Sequence, residues 1–285
     1  MSTYGQLMTD AVRQFSVFEY SDAALEAREL LGKALGLDCR SSEFNEKLWE
    51  DTEDGAEERF CAYCERRLNG EPLQYIIGEW DFFGLTFEVG KGVLIPRQDT
   101  EILVEIAEKQ YKNLDRIDIV DLCAGSGCIG FTLEKRLKNA NVTLVEYYAD
   151  AIDYLFRNKL RHSSNARIVK GDVRDEQLAK ITPQADLIVC NPPYLTASDM
   201  KDLQREVRFE PVEALYGGED GLDMYRSVVR LWKDVLRGGG MMLFEIGNTQ
   251  AEDVMQIMIQ HGFRDVRVRK DHAGNDRAVY GFKRE

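Results

Sequence analysis

Apolar positions recur at helical spacing through the first seventy residues, then give way to short apolar runs that alternate with further helical stretches. Ala27, Leu30, Leu31, Ala34 and Leu35 fall on one stripe, with Ser21 placed as a cap and Gly36 as a stop. Glu57 to Leu68 predicts another helix, closed by Asn69-Gly70; on it Cys61, Cys64 and Leu68 share a face, which predicts two small apolar residues in a helix core. No strand pattern precedes about residue 73, so residues 1–72 are expected to form a small helical domain.

Residues 73–95 change character. LQYIIGEWDFFGLTFEVGKGVLI is rich in aromatic and β-branched residues and punctuated by glycine, which predicts a β-hairpin linker. Residues 96–285 alternate strand and helix. Strands are expected at Ile117 to Leu122, Val142 to Glu146, Arg167 to Lys170, Leu187 to Cys190 and Met241 to Ile246, with two more near Val266 to Arg269 and Arg277 to Phe282. Helices are expected to open at Gly127, Ala149 and Leu222 and to cover about 250–260. In the helix after Leu222, residues Tyr225, Val228, Val229, Trp232, Val235 and Leu236 mark the buried face. This alternation implies an α/β fold, a mostly parallel sheet covered on both faces. Ligands of such sheets bind at the carboxyl ends of the strands.

Composition narrows the setting. A chain of 285 residues suits two domains, and 44% apolar with 31% charged residues is ordinary for a globular protein. No apolar run approaches the ~20 residues that cross a bilayer, and the N-terminus MSTYGQLMTDAVRQF lacks the order of a secretory signal, so a cytoplasmic location is expected. The net charge of -13 weighs against a substrate gripped by its phosphates. Six scattered cysteines are expected to be reduced. Cys61 and Cys64 have no second pair at metal-ligand spacing, and the three histidines are isolated, so neither a metal site nor a histidine-based triad is expected.

The first strand-to-helix turn carries Asp121-Leu-Cys123-Ala124-Gly125-Ser126-Gly127-Cys-Ile-Gly130. Its glycines satisfy G-x-G-x-x-G, the dinucleotide pattern, and Glu146 follows at the end of the next strand. Asp121 separates the two possible ligands. Beside a pyrophosphate its carboxylate would be repulsive, whereas a sulfonium cofactor with an amino-acid moiety is cationic at two points. Glu146 is placed to accept from both ribose hydroxyls, and Asp172, after the third strand, from an adenine amine, with Val173 beside the ring. Singly, Asp172 could be a helix cap and Glu146 a surface strand end. Acids at three successive strand ends favour a nucleoside.

Asn191-Pro192-Pro193-Tyr194 follows the apolar strand DLIVC. An ordinary Asn-Pro turn would leave the second proline and the aromatic residue unexplained. An amide or aryl amine nitrogen shares its lone pair with a π system and is a poor nucleophile. Methyl transfer needs that lone pair aimed in line, at roughly 3 to 3.5 Å. The Asn191 side-chain oxygen and the Pro192 carbonyl can take one N–H each and favour charge developing on nitrogen. The prolines stiffen the loop, and Tyr194 offers an aromatic face. This chemistry serves glutamine and nucleobase amines alike. A dinucleotide-binding protein would leave Asp121 and the tetrapeptide unexplained.

Over nearly its whole length the chain resembles the glutamine methyltransferases of peptide chain release factors, the PrmC/HemK family. The likeness rests on Gly70 to Tyr75, Gly78 with Trp80 to Phe83, Val93 to Glu101, Val207 to Pro211, Ala214-Leu215, Glu245 to Gly247 and Asp271 to Arg277, besides the turn and the tetrapeptide. It implies a class I, Rossmann-like methyltransferase with a small helical N-terminal domain joined by a β-hairpin. It also implies S-adenosylmethionine as cofactor and the glutamine of the Gly-Gly-Gln motif in class-1 release factors as substrate. Cys123 to Gly127, Glu146, Val173 and Asn191 would contact the cofactor, Asn191 to Tyr194 would hold the glutamine, and the helical domain would dock the release factor. No direct nucleic-acid or membrane partner is expected, and a monomer is. Cys123 stands where the family often has glycine, Glu146 where aspartate is usual, and Val173 where an aromatic can occur.

Overall fold

Helix-forming stripes with strong caps build the first part of the chain. In this computed structural model, which describes residues 2–18 and 22–285, the chain divides into two units: Met1–Glu79 with Gln204–Phe209, and Trp80–Leu203 with Glu210–Glu285. In the first unit, α1 (Tyr4–Phe15) opens on a reciprocal capping box between Thr3 and Gln6. Helix α2 (Ala23–Leu35) is capped by Asp22, whose Oδ1 accepts from Leu25 N at 3.0 Å, and ends on Gly36 in the left-handed region. The expected cap at Ser21 lies outside the described residues. A short α3 (Ser42–Lys47) and the long α4 (Asp54–Leu68) follow. Phe15, Leu30, Leu31, Phe44 and Phe60 are buried among these helices. The inner face of α4 runs through Phe60, Cys64 and Arg67, which leaves Cys61 exposed. The expectation that both cysteines lie in the core therefore fails for Cys61.

The stretch expected to be a hairpin from residue 73 opens instead with a helix, α5 (Leu73–Ile77). Pro72 starts it and Gly78, at φ 87°, stops it; Leu73, Tyr75 and Ile76 are buried. Its β-branched composition is overridden by packing and by these end signals. The hairpin is confined to β1 (Glu79–Phe82) and β2 (Leu85–Glu88). Phe83 and Gly84 join them with φ values of 50° and 77°, as a tight hairpin turn with right-handed strand twist requires.

In the second unit, α6 (Glu101–Tyr111) leads into β3 (Ile117–Leu122), then α7 (Cys128–Arg136), β4 (Ala140–Glu146), α8 (Ala149–Arg161), β5 (Arg167–Lys170), α9 (Glu176–Ile181) and β6 (Ala185–Cys190). After a long irregular stretch come α10 (Asp223–Trp232), β7 (Leu236–Glu245), α11 (Ala251–Gln260), β8 (Arg264–Lys270) and β9 (Asp276–Phe282). The sheet order is β5-β4-β3-β6-β7-β9-β8. The first five strands are parallel, and β9 runs antiparallel between β7 and β8. Alternation along the strands divides the core. Ile117, Ile119, Leu187, Val189, Met241 and Leu243 face α6 and α7. Val120, Leu122, Ile188, Cys190, Met242 and Phe244 face α10 and α11.

One helix is shorter than its stripe. Val235 and Leu236 are buried as expected, yet α10 stops at Trp232 and Leu236 already belongs to β7, paired with Ala185. Both apolar residues keep their burial by pairing beside β6 rather than by staying helical.

Candidate active site

Residue parity brings three polar side chains to one face of the sheet at its carboxyl edge. Asp121, Asn191 and Glu245 continue the odd-numbered rows of the adjacent strands β3, β6 and β7, the rows whose earlier members face α6 and α7. Asp121 is fully buried. Its Oδ2 accepts from Gly130 N at 2.9 Å, while Oδ1 has no hydrogen-bond partner among the described residues. Burial, with a smaller contribution from Glu146, pushes its carboxyl up to about 8.

Between Asp121 and α7 the backbone turns sharply. Cys123, Gly125 and Gly127 adopt φ values of 58°, 55° and 80°. A Cβ on Gly127 would meet the Leu155 side chain at 2.7 Å and the Phe131 ring more closely still, so that position is closed to other residues on two grounds. Gly125 N donates to Glu146 Oε2 at 2.9 Å, and Tyr147 N and Tyr148 N donate to Glu146 Oε1 at 2.8 and 2.9 Å. Three of the roughly four acceptor positions of this carboxylate are thus taken by backbone. Asp172 is gripped by Arg174, whose backbone N–H donates at 2.8 Å and whose guanidinium forks onto both oxygens; that cation holds its carboxyl below the usual range. Val173 is buried, and its carbonyl accepts from Trp232 Nε1 at 2.7 Å.

Asn191 lies at the end of β6, its Nδ2 3.5 Å from Thr100 Oγ1. Thr100 in turn donates to Glu245 Oε2 at 2.5 Å, and Tyr194 Oη donates to Glu245 Oε1 at 3.3 Å. Burial raises the Glu245 carboxyl despite these donors and the nearby Arg277. It also pushes the Tyr194 phenol up. Gly217 packs so closely on the tetrapeptide that a Cβ there would lie 2.6 Å from Pro193 O and 2.7 Å from Tyr194 Cα.

A cleft of about 990 Å³, open mouth included, runs along this edge. Its walls take in Cys123, Ala124, Gly125 and Ser126 from the turn, Glu146, Tyr147, Tyr148, Asp172 and Val173 from the next two strand ends, and Asn191 and Pro193. Thr100, Arg97 and Glu213 close another side.

Residues 97–212 match the model of the methyltransferase small domain, and residues 6–78 that of the PrmC N-terminal domain. The release factor glutamine methyltransferase of Clostridium botulinum is 38% identical over 262 residues, covering 91% of this chain and 92% of the relative. That of Geobacter sulfurreducens is 41% identical over 261 residues, 91% and 89% of the two chains. That of Moorella thermoacetica is 34% identical over 287 residues, 99% of each.

The chain belongs to the release factor glutamine methyltransferase family.

Among solved structures, a methyltransferase from Pyrococcus furiosus superposes with a TM-score of 0.54 at 20% identity, over 71% of this chain and 91% of its own. A T. thermophilus 16S rRNA N2 G1207 methyltransferase, solved with AdoMet and guanosine, gives 0.53 at 18% identity over 72% and 50%. Both likenesses concern the fold, which is that of a class I methyltransferase. Membership of the release factor glutamine methyltransferase family makes the chain a methyltransferase dependent on S-adenosylmethionine.

The residues present fit that cofactor. A turn whose backbone is laid bare by glycine, a partnerless buried carboxylate oxygen beneath it and an acidic side chain at the cleft wall suit a cationic nucleoside. Of the residues expected from sequence, Asp121, Gly127, Pro192 and Tyr194 are not on the cleft wall: Asp121 sits under the turn, and Tyr194 packs against the core with its hydroxyl on Glu245. Glu146 has one acceptor position left where acceptance from both ribose hydroxyls was expected. Sequence reasoning missed Thr100, Arg97 and Glu210. Glu210 accepts from Ile95 N at 3.0 Å and from Arg97, and it joins two segments 113 residues apart in sequence. No local pattern announces such a pair.

Proposed function

We propose that this chain transfers a methyl group from S-adenosylmethionine to the side-chain nitrogen of the glutamine in the Gly-Gly-Gln motif of class-1 peptide chain release factors. The observation that carries it is one cleft whose walls hold both the Cys123–Ser126 turn with Glu146 and the amide of Asn191, in a chain of this family.

When bound, the cofactor supplies an electrophilic methyl group on a sulfonium centre. The backbone of Cys123 to Gly127 lies against it, and Glu146 accepts from a ribose hydroxyl on its remaining lone pair. Asp172, held by Arg174, accepts from the adenine amine on Oδ2, with Val173 beside the ring. Asp121 lies beneath the turn, its carboxyl raised to about 8 by burial, and a cationic ligand seated above it favours the charged form.

Asn191 Oδ1 and the Pro192 carbonyl each take one N–H of the glutamine amide, which orients its nitrogen and stabilises the positive charge that develops there. Pro192 and Pro193 restrict the backbone, so both acceptors are set before the substrate arrives. Tyr194 closes the loop against the sheet through Glu245. The methylated nitrogen is cationic and strongly acidic, and it gives its proton to water without a side-chain base. The helical unit docks the release factor, and the enzyme acts as a monomer in the cytoplasm, on protein rather than on nucleic acid or membrane.

The test is incubation of the full-length protein and labelled cofactor with a class-1 release factor, total RNA and DNA in separate tubes. Label is expected in the release factor; label confined to nucleic acid would overturn the assignment.

A further inference from the structure

Thr100 ends a 3-10 turn, Gln98–Thr100, that runs into α6 with helical backbone, so its hydroxyl does not serve as a helix cap. It is almost fully buried, and its hydroxyl reaches Glu245 Oε2 at 2.5 Å, 145 residues away in sequence. On its other side it meets Asn191 Nδ2. A buried hydroxyl bonded between two side chains at the reaction site calls for a reason.

The direction of the hydrogen bonds supplies one. Burial raises the Glu245 carboxyl, while two hydroxyl donors and the Arg277 cation favour its charged form. As a carboxylate it only accepts, with Thr100 donating to one oxygen and Tyr194 to the other. Thr100 has a single hydroxyl hydrogen, and Glu245 takes it. Toward Asn191, Thr100 can then only accept. Asn191 must present its NH2 to Thr100, which turns its oxygen the opposite way. Were the chain reversed, Asn191 would offer N–H to a substrate that also offers N–H, and two donors would face each other.

We propose that Thr100 and Glu245 are positioning residues that set the polarity of the Asn191 amide, so that its oxygen is the atom offered to the substrate nitrogen. The proposal rests on the methyl-transfer function given above and adds two residues that act through Asn191. The contact at 3.5 Å is at the long end for a hydrogen bond, and bonds of this kind often shorten when substrate is bound.

Full-length Thr100→Val, Thr100→Ser and Glu245→Met proteins are compared with wild type. Steady-state methylation of a release factor is measured, with cofactor binding by calorimetry and melting temperature as a check on folding. Thr100→Val keeps the shape and loses the hydroxyl. Its kcat is expected to fall on the order of 10- to 100-fold, the scale of a misplaced reacting group, with release-factor KM and cofactor Kd near wild type. Thr100→Ser restores the hydroxyl and should recover most of kcat. Glu245→Met removes the acceptor and frees the Thr100 hydrogen to turn toward Asn191, so it too should lower kcat, and it serves if Thr100→Val fails to fold. Thr100→Val or Glu245→Met at wild-type kcat, or Thr100→Ser as impaired as Thr100→Val, would overturn the proposal. If wild type itself leaves the release factor unlabelled, the function proposed above falls and this proposal with it; if wild type labels it, only the positioning role is at stake.

Discussion

Each polar strand end at this edge of the sheet meets a different environment, and each should answer differently to substitution. Glu146 is anchored by three backbone N–H groups and keeps one lone pair for a ligand. Glu146→Ala should therefore weaken S-adenosylmethionine binding by about 1–3 kcal/mol, the cost of removing a charged acceptor; calorimetry that finds unchanged affinity would count against the ribose contact. Asn191→Ala should show the opposite emphasis, with turnover lost and cofactor affinity reduced less. Undiminished turnover would remove the role given to its side chain. Asp121 makes a pH prediction. Its folded carboxyl is raised to about 8, so the folded state favours the neutral acid. That contribution is fully present below the unfolded value of about 4 and is lost as pH rises through the folded value. Asp121→Asn cannot ionise, and its melting temperature should gain on wild type between about pH 4 and pH 8. Parallel melting curves across that range would show that the carboxyl titrates normally. At this scale the sequence announces the acids because they sit at strand ends, but it does not announce depth: Asp121 lies under the turn, and Cys123 accepts a left-handed backbone at 58° where glycine would be unstrained.

Among the elements, strands of the parallel sheet were legible because burial on both faces leaves near-continuous apolar runs such as IDIVDL and ADLIVC. The boundaries that misled are those where packing outranks local pattern. Leu73–Ile77 ends in two β-branched residues yet is helical, and Leu236 continues a helical stripe yet pairs with Ala185. The helical unit holds a less visible feature. Arg67, on α4, forks onto Glu26 of α2 at 2.8 and 3.1 Å and reaches Glu206 at 2.9 Å, with its side chain 3% exposed. Glu206 comes from Gln204–Phe209, a strip that follows β6 by more than a dozen residues and that periodicity could not assign to this unit. Removing one partner of a buried ion pair strands the other. Arg67→Ala is expected to cost about 3–5 kcal/mol of stability, read by chemical denaturation and circular dichroism. A loss below about 1 kcal/mol would place the pair among surface contacts.

For the whole molecule, the acidic balance of -13 and the absence, among the described residues, of any helix long and apolar enough to cross a membrane set the general character. They do not choose a substrate. Asn191 to Tyr194 defines a chemistry for planar nitrogen but suits glutamine and nucleobase equally. The choice comes from similarity spread over both units, since relatives 34–41% identical span 91–99% of the chain. That the N-terminal residues 6–78 match their own family model matters most here, because a bare methyltransferase fold serves many substrates. Mass spectrometry of a class-1 release factor's Gly-Gly-Gln peptide, prepared with and without this enzyme and S-adenosylmethionine, tests the central claim most directly. A gain of one methyl group on the glutamine side chain, dependent on both, is the predicted result. An unmodified glutamine, or a methyl group found elsewhere in the peptide, would contradict it.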